Sequence, residues 1–257
     1  SGGVTMSHLR FGKKPIKSTY LIHKANFVAC HNPSYVNKYN MVQELVDGGT
    51  FLLNCSWDME GLEKHLPGQV KAFIANHNIK FYTIDGVKIG IETGMGPTRI
   101  NTILQSAFFK LANVMPIEEA VDFMKQAAKK SYGKKGDAVV EMNYKAIDAG
   151  VDAVHKVEVP ASWSNPAADP APKKLTGRPE TVKMVEDLMN PIALMDGDSL
   201  PVSAFMGNPD GQFEQGASAY EKRGTAVTVP TWDSETCIQC NNCAFVCSHA
   251  TIRPFLL

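Results

Sequence analysis

The chain has 257 residues, 44% of them apolar, which is enough to build a core in one large domain or two small ones. Lysine plus arginine and aspartate plus glutamate each total 26, so the net charge is zero. A nucleic-acid protein draws much of its affinity from cations on phosphate, so that class is not expected.

No run of about 18 apolar residues is present to span a membrane, and the opening SGGVTMSHLRFGKKP has no apolar signal core. The chain begins Ser1-Gly2-Gly3 without an initiator Met, so it reads as a fragment. Six cysteines are present, four of them within eleven residues, unlike a secreted disulfide framework. A reducing, cytoplasmic compartment is expected.

Residues 1–15 are rich in Gly, Lys and Pro and read as a loop. Residues 19–30 (TYLIHKANFVAC) are apolar and β-prone, with a strand inside them. Residues 37–46 predict a short helix stopped by Gly48-Gly49. Residues 50–55 (TFLLNC) read as a buried parallel strand. Residues 59–76 carry helical spacing at Leu62, Leu66, Val70, Phe73 and Ile74, interrupted by Pro67-Gly68.

Residues 79–84 (IKFYTI) give another strand. Residues 99–113 are apolar at helical spacing, and the pair Phe108-Phe109 is expected in the core. Pro116, followed by Glu118 and Glu119, opens a further helix to about residue 130, with early acids suited to the positive helix end. Residues 137–153 form one more helix. Strands alternating with helices predict an α/β domain with a mainly parallel sheet and flanking helices, over residues 1–157.

The composition then changes. Residues 160–172 (PASWSNPAADPAP) carry four prolines and no periodicity, and read as a linker or extended arm. Residues 181–189 allow a short helix, and 191–231 are rich in Gly, Pro, Ser and Asp, with a β-prone piece at 225–229. An irregular, Pro/Gly-rich connector over 158–230 is expected, then a cysteine segment over 231–257.

That segment contains CIQCNNCAFVC, with Cys237, Cys240, Cys243 and Cys247 at spacings x2, x2 and x3. Thiolates are soft ligands for iron–sulfur clusters and zinc. Zinc sites usually separate two Cys pairs by a dozen residues or more, so a cluster is favoured over zinc or free thiols. In a run of this kind three cysteines hold one [4Fe-4S] cluster and the fourth ligates a second. That predicts Cys237, Cys240 and Cys243 on the first and Cys247 on the second. Proline normally follows such a run, and Ser248 stands there instead. A complete two-cluster module needs a second quartet, which these residues do not supply. Cys30 and Cys55, in predicted strands, read as buried thiols that behave like hydrophobes.

SGGVTMSHLRFG, GMGPTRINTILQSAFFKLA, LPVSAF with AYEKRGTAVTVPTW, and CIQCNNCAFVC follow one another in this order. Together they make the chain resemble the pyruvate:ferredoxin (flavodoxin) oxidoreductases over essentially its whole length. The resemblance implies a central γ-type domain, a connector containing Glu221-Lys222-Arg223, and the opening of a two-cluster ferredoxin domain. It implies oxidative decarboxylation of pyruvate with coenzyme A, thiamine diphosphate as electron sink on other domains, and ferredoxin or flavodoxin as acceptor. It implies a homodimer for the full-length enzyme, and no catalytic residue or intact cluster in this chain alone. A different 2-oxoacid as substrate, or a non-enzymatic electron carrier, are the alternatives.

The γ-type domain of that family is associated with coenzyme A. Its phosphates suit arginine forks, lysines and helix N-termini. Gly94, Gly96 and Arg99 immediately precede a predicted helix, and Asn101 and Gln105 share one of its faces. The loop around Arg10, with His8, Lys13 and Lys14, adds cations. Gly94, Gly96, Arg99, Asn101 and Arg10 are therefore expected on the coenzyme side. A Gly-rich turn before a helix is common, and without the resemblance it signals little.

Overall fold

The computed structural model describes residues 4–17, 19, 21–171, 173–221 and 229–254. Its contacts divide the chain into a unit over residues 1–225 and a small one over 226–257.

The first unit is built on a four-stranded sheet of β1 (Ala25–Cys30), β2 (Leu45–Asn54), β3 (Lys80–Ile84) and β4 (His155–Lys156), paired in that order. The first three strands run parallel, with Phe27 opposite Thr50 and Thr50 opposite Lys80. β4 is antiparallel to β3, with Tyr82 facing Lys156. The α/β reading with a mainly parallel sheet holds.

The helix expected over 37–46 does not form. A 3-10 turn, Pro33–Asn37, is followed by turns, and Leu45 already begins β2. Val36, Val42 and Leu45 are all buried in the core, and burying all three in so short a crossover overrides a modest helical preference. Gly48-Gly49 lies inside β2 rather than after a helix. The register slips there, between Ala25 opposite Leu45 and Phe27 opposite Thr50, and Gly48 adopts φ +72°. That is a bulge, which glycine supplies at little steric cost.

Alternation along β2 sends side chains to both faces. Phe51 and Leu53 pack with Cys30, Leu62, Val70, Ile74, Phe81 and Trp163 under α1 (Met59–His65) and α2 (Gly68–Asn76). Leu52 packs on the other face with Ile84, Ile89, Ile103, Leu104, Ala107 and Ala146. α3 (Gly86–Glu92), α4 (Asn101–Ala112) and α6 (Asp137–Asp152) cover that face, and α5 (Ile117–Tyr132) packs on α4 and α6 through Met124, Ala128 and Ile147. α3 was missed in the sequence; Asp85 caps it by accepting the Lys88 N–H at 2.9 Å.

α4 and α6 cross closely. Gly150 stands at the crossing, where a Cβ would lie 2.2 Å from Ser106 Oγ and 2.5 Å from the Ile103 carbonyl oxygen. Phe108 and Phe109 are half-buried rather than core residues. Phe11 of the N-terminal loop stacks on Phe108 at 5.7 Å, and Phe27 meets Phe108 edge-on at 5.1 Å.

The Pro-rich stretch after β4 is an arm that packs back onto α1 and α2. Trp163 is buried, and its indole N–H donates to Glu63, which also pairs with the buried Lys71 at 2.8 Å. Asp169 accepts the Gly68 N–H at 2.7 Å and so caps α2 from 101 residues away. The connector is not extended throughout. α7 (Pro179–Met184) continues through a π turn into α8 (Asn190–Ala193), and Met184, Val185 and Ala217 form a small core of their own. Residues 222–228, including Lys222, Arg223 and most of the β-prone piece, lie outside the described residues.

Candidate functional site

The turn between α3 and α4 contains the Gly-rich residues singled out in the sequence. Gly94 and Gly96 adopt φ +82° and +86°. A Cβ on Gly94 would meet Met142 Sδ at 3.1 Å, whereas Gly96 faces open space. The Gly96 N–H donates to the Gly90 carbonyl at 2.8 Å. The left-handed backbone therefore accounts for both glycines, and at Gly96 it also leaves the backbone open to approach.

Arg99 follows, exposed, with no hydrogen bond or ion pair to the described residues. α4 begins without a side-chain cap. Its first N–H groups and its positive end are left uncapped two residues after Arg99 in the chain, an arrangement suited to an anion. Asn101, Thr102 and Gln105 of α4 line a cleft of about 310 Å³ shared with α5 and α6.

Asn143 of α6 closes the cleft from within and is 2% exposed. Its Nδ2 donates to the Val139 carbonyl at 2.8 Å, while its Oδ1 has no donor among the described residues. A buried acceptor left unpaired costs about 1–3 kcal/mol. Sequence reading passed over Asn143. The signal was there: an amide on the stripe Val140, Asn143, Ala146, Ile147 and Gly150, all buried on α6. By contrast Asn54, also buried, is satisfied at both ends, donating to His31 and accepting from Gly86.

The Arg10 loop does not join this end of α4. Its Phe11 rests on Phe108, nine residues beyond Arg99, which is about 13 Å along a helix axis. His8 is structural, its Nδ1 accepting the Ile22 N–H at 3.1 Å. Of the expected coenzyme residues, Arg99 and Asn101 adjoin the glycine turn at the start of α4, and the residue after Arg10, Phe11, meets α4 at Phe108.

In the second unit Cys237 and Cys247 are half-buried and Cys240 and Cys243 exposed. One helical turn, α9 (Asn242–Phe245), carries Cys243. Gln239, Asn241 and Ala250 all adopt left-handed backbone, at φ 58°, 64° and 49°. These reversals turn N–H groups onto sulfur. The Gln239 N–H and the Trp232 indole hold the Cys237 thiol below its usual range. The N–H groups of Ile252, Thr251 and His249 do the same for Cys247, the Thr251 N–H at 3.3 Å. Hydrogen bonds to sulfur favour thiolate, the form that ligates iron.

Cys30 and Cys55 are the opposite case. Burial pushes their thiols up to about 12 and about 11. The donor chemistry of the four C-terminal cysteines fits a cluster. Among the described residues, however, no three His, Cys, Asp or Glu side chains are gathered closely enough to hold a metal ion.

The chain thus joins a mainly parallel α/β domain to a C-terminal segment with four cysteines at ferredoxin-type spacing. Residues 1–153 match the family model described as pyruvate ferredoxin/flavodoxin oxidoreductase, and residues 168–226 match EKR, a domain of unknown function. The chain belongs to the pyruvate ferredoxin/flavodoxin oxidoreductase family.

It is 51% identical over 256 residues to the pyruvate:ferredoxin oxidoreductase of Moorella thermoacetica, covering all of this chain and 21% of that protein. It is 50% identical to the pyruvate-flavodoxin oxidoreductase of Enterobacter agglomerans, covering all of this chain and 21% of that one. The NADP(+) pyruvate dehydrogenase of Euglena gracilis matches at 42%, across the whole chain and 14% of its own length. The chain thus spans about a fifth of the first two relatives. A pyruvate oxidoreductase subunit from Thermotoga maritima aligns in structure at a TM-score of 0.43 and 17% identity, over 53% of this chain and 67% of that one.

Proposed function

We propose that the chain works as part of an enzyme that converts pyruvate and coenzyme A to acetyl-CoA and CO2. The two electrons released pass through iron–sulfur clusters to ferredoxin or flavodoxin. The observation that carries this reading is the likeness of the entire chain, at about half identity, to proteins named for that reaction. Pyruvate binding and thiamine diphosphate belong to other parts of the polypeptide, and this chain alone is inactive. Residues 1–157 act as the γ-type domain, 158–230 as the connector, and 231–257 as the start of a ferredoxin domain. The full-length enzyme is a cytoplasmic homodimer. Among the described residues no helix is long and apolar enough to cross a membrane.

Within this division, the chain contributes coenzyme A contacts and cluster ligands. Arg99 and the open N-terminus of α4 face the coenzyme's phosphates, with Asn101 beside them and Gly94 and Gly96 shaping the turn. Arg10 supplies a separate cation farther along α4. Cys237, Cys240 and Cys243 would hold one [4Fe-4S] cluster and Cys247 a second, completed by residues outside this set. Such clusters accept and release single electrons when bound. The residues here supply sulfur, and N–H donors that stabilise it.

The electron acceptor is read elsewhere, because relatives named for NADP(+) match the same stretch at 42–43% identity. Titration calorimetry of the chain with coenzyme A tests the phosphate reading. Weak binding that disappears in Arg99→Ala is expected. Binding of equal strength in the variant would remove Arg99 from the site.

A further inference from the structure

Cys237 and Cys247 receive their hydrogen bonds from different kinds of donor. Around Cys247 the backbone N–H groups of Ile252, Thr251 and His249 supply them. Around Cys237 one comes from the Gln239 backbone and another from a side chain, the indole of Trp232. A backbone N–H is present with any residue but proline, whereas an indole N–H is present only with Trp.

The local chain folds that ring back onto the sulfur. Asp233 follows Trp232, and its Oδ1 accepts the Glu235 N–H at 2.9 Å. Residues 234–236 form a turn, and Cys237 comes next. On the far side of Cys237, Gln239 reverses the chain at φ 58°. Packing does not account for the ring, because Trp232 is 71% exposed. Its N–H can only donate, so the Cys237 sulfur accepts.

A donor on a ligating sulfur does more than favour thiolate. Reduction of a cluster adds a negative charge, and the positive end of an N–H dipole stabilises that charge. Hydrogen bonds to the sulfurs are accordingly among the factors that set cluster potentials.

We propose that Trp232 is a positioning residue for electron transfer, whose indole N–H on Cys237 Sγ raises the reduction potential of the first cluster. The step it biases is a one-electron reduction, the electron coming from pyruvate oxidation, and no bond in the chain forms or breaks. The inference rests on the reading that Cys237 ligates a [4Fe-4S] cluster, and a second variant keeps the two apart.

The test is a redox titration of the full-length enzyme, purified anaerobically and followed by electron paramagnetic resonance. Trp232→Phe keeps a ring and deletes the donor. At so exposed a position it should leave folding and iron content unchanged. One reduction step is expected to become about tenfold less favourable, which is about 59 mV lower for one electron. Cys237→Ser should perturb that same step. In the unaltered enzyme labelled with 15N-indole tryptophan, pulsed resonance of the reduced state should show a 15N coupling to the same signal.

Steps that all stay in place in Trp232→Phe overturn the inference, even where Cys237→Ser moves one. So does a step that rises, because the ring then acts as a shield against water rather than as a donor. Absence of the 15N coupling overturns it without any substitution. A Cys237→Ser enzyme with full iron content and every step unchanged overturns the ligand reading itself, and the role of Trp232 falls with it.

Discussion

Replacing Gly150 with Ala tests how tightly α4 and α6 are held together. The new methyl would sit 2.2 Å from Ser106 Oγ, 2.5 Å from the Ile103 carbonyl oxygen and 3.0 Å from Ile103 Cα. Ordinary contact begins near 3.4 Å, so the helices must separate by about an ångström, because two of the three neighbours are backbone. Overpacking of this kind costs about 1–3 kcal/mol, and backbone that cannot swing aside puts the cost at the upper end. Alanine recovers about 1 kcal/mol through its better helix propensity. The net loss is about 2 kcal/mol, which for a domain of this size lowers Tm by about 4–8 °C.

Thermal unfolding followed by far-ultraviolet circular dichroism measures it. Gly133→Ala is the control: Gly133 has right-handed φ of −54°, and a methyl added there would have nothing within 4 Å. That variant should match the parent or gain up to about 1 kcal/mol. Adding Ser106→Ala to Gly150→Ala removes the shortest contact but not the carbonyl, so only part of the loss should return. A Gly150→Ala chain as stable as the parent would refute the close crossing.

Acid sensitivity should trace in part to Glu63. Hydrogen bonds from Lys71 and then Trp163 hold its carboxyl below the usual range. A depressed carboxylate adds stability above its unfolded pKa of about 4.3 and loses it as pH falls through the lower folded value. Glu63→Gln should therefore flatten the acid limb of a stability–pH curve, and an unchanged limb contradicts the assignment. The six thiols should also divide by reactivity. Cys237, Cys240, Cys243 and Cys247 should react promptly with Ellman's reagent at about pH 8, and Cys30 and Cys55, pushed up by burial, only after denaturation. A single rate for all six is the contrary result.

The strand–helix alternation was legible because Phe51, Leu52 and Leu53 form a continuous apolar run buried on both faces, as a central parallel strand requires. The stretch 37–46 misled because its apolar spacing fits a helix, while Val36 and Val42 are spent on the crossover between β1 and β2. α3 escaped notice because GVKIGIE holds two glycines. Both are required by close approach, since a Cβ would lie 3.0 Å from Asn54 Oδ1 at Gly86 and 2.5 Å from the Gly96 carbonyl oxygen at Gly90, so packing rather than propensity explains them. The cysteine spacing was plain in the sequence. What no local pattern could show was the N–H supply to Cys247, which depends on the left-handed turn at Ala250. Nor could it show that Gln105 of α4 and Asn143 of α6 line one cleft.

The arm that closes over α1 and α2 sets an order of events during synthesis. Trp163 and Asp169 meet Glu63 and Gly68 across 100 and 101 residues. The Trp163 site beside Phe81 and Glu63, and the Gly68 end of α2, therefore stay uncovered while the rest of the domain emerges from the ribosome. At about 5–20 residues per second that interval lasts about 5–20 seconds. A nascent chain paused before the arm leaves the exit tunnel would expose the slot that Trp163 fills beside Phe81, making it the point where a chaperone is needed.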